Sequence, residues 1–359
     1  MIATTPELLD LLATDPVIAI GVSGGKDSCA VALRLNKWLD RFGHVGPRLL
    51  IHSDLGKVEW RDSLPTCERL AHRCQLELAV VRRPAGGMME RWETRWAANV
   101  QRYANLECVK LILPWSTPAL RFCTSELKTD VIDRYLARRF QGACILSVSG
   151  IRAEESPARS KAAILKPQAK LTRTSLGTQG YDWNPLLLWT AKDVFEFLEA
   201  ERFTPHEAYW RYGSSRVSCA FCIMASPADL FASSNCEDNQ DVYRQMVRLE
   251  IDSTFSFQSD RWLGDIAPSL LLRDARYNLP ITKVKAVKRE LAEAAILRHL
   301  LYTEGWPTCI PTRQEAELLC RVRTEVSDVV GFEARYLQPG PLIERYEELF
   351  EQRRAKECR

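Results

Sequence analysis

Histidine is scarce, five in 359 residues, and His44, His72, His206 and His299 have no partner at metal-ligand spacing. No apolar run approaches the roughly 18 to 20 residues that cross a bilayer, which excludes a membrane-spanning helix and a membrane partner. The N-terminal stretch MIATTPELLDLLATDP carries acids and lacks the basic region of a secretory signal, so a cytoplasmic location is expected. Charge of neither sign dominates: the formal net charge is only +3, which argues against a general attraction to nucleic acid or anionic membrane and leaves only local basic clusters for that role. There is no internal repeat and no low-complexity tract.

What is present suits a globular chain, with 46% hydrophobic and 26% charged residues. The twelve cysteines, without an export signal, read as thiols or metal ligands rather than a disulfide framework. Up to about residue 150, short β-rich runs alternate with helical stretches. Strands are expected at Val17–Val22, Arg48–His52, Leu76–Val81 and Cys144–Ser149. Helices are expected at Cys29–Phe42, around Thr66–Cys74, around Met88–Asn105 and over Ser125–Phe140. This alternation predicts a doubly wound, mainly parallel α/β sheet, whose ligands bind beyond the carboxyl ends of the strands. Residues 151–179 read as a basic, mobile loop, Thr190 as a helix N-cap, and roughly Asp238 onward as a mostly helical region broken at Pro268, Pro280, Pro307, Pro311 and the QPGP turn. The expected division is 1–235 and 236–359.

The first expected strand runs into SGGKDS, Ser23 to Ser28, just before a helix. Helix-start amides point at whatever lies there, and Gly24 and Gly25 let the backbone approach a phosphate. Lys26 adds a point charge, and Ser23 and Ser28 add hydroxyls. The spacing is neither a Walker A loop nor a dinucleotide fingerprint.

These six residues resemble the SGGxDS signature of the N-type ATP pyrophosphatases, the PP-loop superfamily, and later stretches resemble its phosphoadenylylsulfate (PAPS) reductase-like branch. They are IHSDLGKVEW from Ile51, LRFCTSELK from Leu120, SGIRAEESPAR from Ser149, and WNPLLLWTAKDVFEFL from Trp183. Together they span about residues 17–225. The resemblance implies an adenine nucleotide alpha hydrolase-like fold that binds ATP with Mg²⁺ and cleaves it between the α and β phosphates. It assigns the nucleotide to Ser23, Gly24, Gly25, Lys26, Asp27 and Ser28, to Ile51, His52, Ser53 and Asp54, and to Gly150, Arg152 and Arg159. In it the main chain around Ile51–Ser53 holds adenine, while Asp54 and Gly56 form a turn. Lys26, Asp27, Lys128 and Arg152 are the catalytic candidates. Guanidinium forks and an ammonium suit phosphate oxygens, and Glu154 and Glu155 are candidates for Mg²⁺ or for orienting the arginines.

SCAFCIMAS places Cys219 and Cys222 at C-x-x-C spacing; Cys236 follows, and Cys123 belongs to the LRFCTSELK stretch. Four thiolates from separate loops suit a [4Fe–4S] cluster, with zinc as the competitor and sulfur-carrying or structural thiols as alternatives. Cys29, Cys67, Cys74, Cys108, Cys144, Cys309 and Cys320 sit in apolar patterns and read as core residues. Cys358 lacks the Gly-Leu-His that follows the catalytic cysteine of PAPS reductases.

Within the branch, the chain is most similar to the ATP pyrophosphatase subunits of bacterial DNA phosphorothioation systems of the Dnd and Ssp kinds. That implies adenylation of a substrate, a cysteine desulfurase or other sulfur donor as partner, DNA as acceptor, and a homo-oligomer as one assembly. A tRNA thiolase, a sulfonucleotide reductase and a non-catalytic ATP-binding scaffold are the alternatives. Arg91, Arg95 and Arg102 among Trp92, Trp96 and Tyr103 read as a half-packed helix before a polynucleotide groove. Lys285, Lys288 and Arg289 read as a solvated face or a phosphate track.

Overall fold

A computed structural model describes residues 1–357, so Cys358 lies outside the described residues. The strands are β1 (Val17–Val22), β2 (Arg48–Asp54), β3 (Glu77–Arg82), β4 (Cys144–Val148), β5 (Leu165–Pro167) and β6 (Gln179–Trp183). They form one sheet in the order β3-β2-β1-β4-β6-β5, parallel except where β5 meets β6. The helices that frame the account are α1 (Pro6–Leu12), α2 (Lys26–Phe42), α3 (Ser63–Cys74), α4 (Met88–Ala104), α5 (Asp130–Arg139), α6 (Ala191–Ala200), α7 (Gln240–Ser253), α8 (Arg273–Ala294), α9 (Arg313–Val330) and α10 (Pro339–Glu357). None is long and apolar enough to cross a membrane among the described residues.

The expected doubly wound sheet is the observed one. β1 is apolar at nearly every position because both its faces are covered. Ile18, Ile20 and Val22 pack with Val31, Leu35 and Leu39 of α2, Leu70 of α3 and Val194 and Leu198 of α6. On the other face, Val17, Ala19 and Ile51 meet Val131, Leu136 and Ala137 of α5. α2 ends where Gly43 takes φ +86°, the left-handed stop that glycine tolerates. Thr190 caps α6 as expected, in a reciprocal box with Asp193.

Four elements differ from the sequence reading. The loop at 151–179 contains β5, and Gln179–Trp183 is a strand; QGYDW lacks the apolar run by which a strand is read, but its backbone pairs with β4 throughout. α8 runs through Pro280, and α10 begins at Pro339 within the QPGP stretch. Burial of Leu279, Thr282 and Ala286 on α8 offsets the hydrogen bond that proline removes.

The chain forms two compact units, one of residues 1–88 and 116–242 carrying the sheet, the other of residues 89–115 and 243 onward. In the second, Tyr103, Leu106, Val109 and Leu111 join Leu300, Leu319, Val322 and Tyr346 in one core. Periodicity marks these residues as buried without saying in which core. Trp92 stacks edge-on with Trp115, Tyr103 is buried, and Arg95 donates to the Leu113 carbonyl, as a packed helix requires. Arg289 is also buried, bonded to Thr254 and Glu293 with its guanidinium 3.7 Å from the Phe255 ring centre, so it belongs to the core and not to a surface phosphate track. Glu250 is buried and accepts main-chain N–H groups from Phe257, Leu263 and Gly264 at 2.6, 2.7 and 3.0 Å.

Candidate functional site

The sheet reverses direction of growth between β1 and β4, and the crevice beyond their carboxyl ends is where such sheets bind ligands. Ser23 to Gly25 leaves β1, and α2 begins at Lys26. Gly24 sits at φ +74°, and a Cβ there would lie 2.9 Å from the Ser63 carbonyl oxygen, so glycine is needed twice over. The Ser28 hydroxyl donates to the Gly25 carbonyl at 2.8 Å and accepts from the Ser23 N–H at 3.2 Å. It therefore braces the loop.

The charged residues converge from both strands. Lys26 Nζ lies 2.9 Å from Asp27 Oδ2, and Arg152 Nε lies 2.6 Å from Asp27 Oδ1. Arg152 also pairs with Glu154, and its N–H donates to Glu155 at 2.8 Å; Arg159 pairs with Glu155. Burial opposes the Arg152 charge, but Asp27 and Glu154 more than offset it and hold its pKa above the usual value. Gly150 lets β4 come this close, since a Cβ there would lie 2.8 Å from the Asp27 carbonyl oxygen. Lys26, Asp27, Gly150 and Arg152 are thus brought together, with Arg159 one carboxylate away.

The edge formed by β2 differs in detail. Asp54 accepts from the Gly56 N–H at 2.7 Å, as the expected turn requires. Ile51 points into the α5 face of the core, and Ser53 donates its hydroxyl to the Leu127 carbonyl. His52 is not a free edge group: it is 1% exposed, with Nδ1 3.0 Å from the Val22 carbonyl and Nε2 3.2 Å from Glu59. Burial works against its charge, yet Cys67 and Glu59 outweigh that and raise its pKa to about 10. Two acceptors, one at each ring nitrogen, are the physical reason it turns inward.

Lys128 lies on a π-helical turn, Ser125–Thr129, and its charge is felt at Cys219. Cys123 and Cys222 lie close enough to Cys219 for their charges to be felt there. Cys219 pairs its backbone with Glu59, and its thiol is pushed up to about 12 by burial, with Cys222, Glu59 and Cys123 adding to the rise and Lys128 opposing it. Cys236 is buried and hydrogen-bonds with Tyr212 instead. Among the described residues no three of histidine, cysteine, aspartate and glutamate are disposed to hold a metal ion. Cys236 follows the helix over Pro227–Ser234 and meets the Tyr212 hydroxyl. Of the other cysteines, Cys29, Cys67, Cys74, Cys108 and Cys320 are buried as expected, while Cys144 and Cys309 are partly exposed.

Sequence reasoning missed the aromatic cover of the loop. Tyr209 Oη accepts the Lys26 N–H at 3.0 Å, and the Lys26 ammonium lies 5.7 and 5.9 Å from the ring centres of Tyr209 and Phe195. His206 caps the short helix that carries Tyr209, accepting from the Ala208 N–H at 3.0 Å. No spacing in HEAYW signals this role. It also missed Asp133, on α5, a carboxylate 4% exposed beside the crevice.

A glycine loop on a helix start at the switch point of a parallel sheet defines a nucleotide-binding α/β protein. The match of residues 17–225 to the phosphoadenosine phosphosulfate reductase domain narrows this, and the chain belongs to that family. No curated protein matches it. Among solved structures it is similar to a phosphoadenylyl-sulfate reductase from Candida auris in a phosphate complex, at TM-score 0.37 and 14% identity over 61% of this chain and 97% of that one. It is also similar to a Candida glabrata FMN adenylyltransferase with FMN and the ATP analogue AMPCPP, at 0.32 and 18% over 56% of this chain and 54% of that one. A U34-tRNA thiolase, NcsA, from Methanococcus maripaludis with its [4Fe-4S] cluster matches at 0.37 and 14% over 68% and 74%. Likeness at this level decides no residue's role.

Proposed function

We propose that the protein cleaves ATP between its α and β phosphates to activate a substrate for sulfur incorporation, with the DNA backbone as the acceptor. The observation that carries this reading is the intact Ser23–Ser28 loop with Lys26, Asp27 and Arg152 meeting at the sheet's switch point. The incoming polyphosphate takes the loop amides and draws Lys26 and Arg152 from Asp27 onto its own oxygens, where fixed cations favour the charge that builds as pyrophosphate leaves. Lys128 stands as a further cation toward the thiols. Before ATP binds, both Asp27 oxygens are paired with Lys26 and Arg152, and Glu154 and Glu155 with Arg152 and Arg159. Once the phosphates draw Lys26 and Arg152 away, Asp27 is the carboxylate freed to hold a divalent cation. Asp27 would hold Mg²⁺ against the nucleotide phosphates, where the ion would supply charge neutralisation.

An acceptor oxygen attacks the α-phosphorus, pyrophosphate departs, and an adenylated acceptor remains. The terminal sulfur of a persulfide formed by a cysteine desulfurase or comparable donor then attacks the activated acceptor atom and expels AMP, which carries away the activated oxygen. A second thiol cleaves the S–S bond, leaving the thiolated acceptor and a disulfide. Cys123, Cys219 and Cys222 are the residues that would carry sulfur, or hold an iron–sulfur centre, beside Lys128. The test is anaerobic incubation with ATP, Mg²⁺, a cysteine desulfurase and cysteine, with DNA or tRNA as acceptor, followed by nuclease digestion and mass spectrometry. Phosphorothioate dinucleotides from DNA support the reading; thionucleosides from tRNA alone replace the acceptor.

A further inference from the structure

A cavity of about 310 Å³ opens on the α5 side of the sheet, lined in part by Gly21, Ile51, Asp133, Ser149, Gln168 and Asp182. Gly21 lies two residues before Ser23, and Ser149 one residue before Gly150. At about 3.3 Å per strand residue, the cavity is about 7 Å from the phosphate loop, close to the span of a ribose between base and α-phosphate. Gly21 presents no side chain, which leaves the wall open on the β1 side.

One group in the lining is unsatisfied. Asp133 is 4% exposed, and its Oδ2 is buried without a hydrogen-bond partner. The neighbouring cations are committed elsewhere: Lys170 to Asp130 at 2.6 Å and Lys166 to Asp182 at 3.2 Å. Gln168 Nε2 donates to both oxygens of Asp182 at 3.2 Å. A buried acceptor left unpaired is costly and rare, and a ligand N–H or O–H placed in the cavity would satisfy it. The same carboxylates repel an anion.

We infer that Asp133 determines which nucleotide the crevice takes: it accepts a hydrogen bond from the uncharged adenosine of ATP and excludes a nucleotide bearing a 3′-phosphate. This rests on the ATP reading above and adds the substrate class, an adenine nucleotide with a free ribose in place of a phosphoadenylyl sulfate. Burial, with Asp182 and Asp130 behind it, raises the Asp133 pKa to about 6, while Lys170 and Arg173 oppose the rise. At neutral pH the group is ionised and able to do both jobs.

The experiment is equilibrium dialysis with labelled ATP, displaced by AMP or by adenosine 3′,5′-bisphosphate, for wild type, Asp133→Ala and Asp133→Asn. Wild type is expected to prefer AMP by about tenfold or more, the scale of one charge-assisted hydrogen bond. Asp133→Ala loses the acceptor and binds ATP about tenfold more weakly. Asp133→Asn keeps the shape without the charge, and its preference against the bisphosphate falls; its melting temperature, equal to or above wild type, certifies the fold. ATP binding and discrimination unchanged in Asp133→Asn would overturn the inference while leaving the ATP reading intact. No ATP binding by wild type, in contrast, removes both.

Discussion

The Tyr209 hydroxyl accepts the Lys26 N–H at 3.0 Å, so the first amide of α2 is already satisfied by a side chain from a segment 183 residues away. The Val217 N–H also reaches the Tyr209 oxygen, which fixes it over the loop. An anion at this helix start competes with that oxygen. Tyr209→Phe removes the competitor and keeps the ring against Lys26. Its affinity for pyrophosphate and ATP is expected to rise about two- to tenfold, the range of one neutral hydrogen bond, in a binding titration. Weaker binding would make Tyr209 a ligand contact.

Gly24→Ala meets a positive φ and the Ser63 carbonyl oxygen at 2.9 Å, a cost of about 1–3 kcal/mol in chemical denaturation. Gly150→Ala pushes on the Asp27 carbonyl, also backbone, and therefore on the first turn of α2. Nucleotide binding should fall in both variants by more than their stability loss accounts for, because each displaces the loop itself. Stability loss with unchanged binding per folded molecule contradicts this.

Glu250 receives N–H donors from Phe257, Leu263 and Gly264 with its side chain in the core. Glu250→Gln turns one acceptor oxygen into an amide donor facing those N–H groups. The expected loss is on the order of 2–3 kcal/mol in urea unfolding, with little change in nucleotide affinity.

Burial holds the His206 pKa down at about 4, with Asp62 opposing and Arg69 assisting. The unfolded imidazole titrates near 6.5, so the fold holds the neutral ring. Its contribution is complete above pH 6.5 and is lost as pH falls through 6.5 toward 4. Asn at this position can also accept from the Ala208 N–H but does not titrate. Between pH 7.5 and 5.0 the melting temperature of wild type should drop further than that of His206→Asn; equal drops would mean the ring does not titrate against the fold.

Much of the fold was legible because β1, β2 and β4 are apolar runs followed by glycine or serine turns, and helices such as α2 repeat their apolar residues every three to four positions. β6 was not, because QGYDW is held by its place beside β4 more than by its own residues. The phosphate loop and its partner Arg152 were legible as short contiguous motifs. Tyr209 was not, since it acts on Lys26, 183 residues away, and Asp133 was not, since only the packing of α5 buries its carboxylate beside the crevice; neither sits in a distinctive spacing.

The most direct test follows α-labelled ATP with Mg²⁺ and anaerobically purified protein, alone and with DNA, separating AMP from ADP. AMP with an equal amount of pyrophosphate, abolished in Asp27→Ala, is the predicted result. ADP and orthophosphate would contradict it, because cleavage at the γ-phosphate means that the Ser23–Ser28 loop does not hold the leaving pyrophosphate.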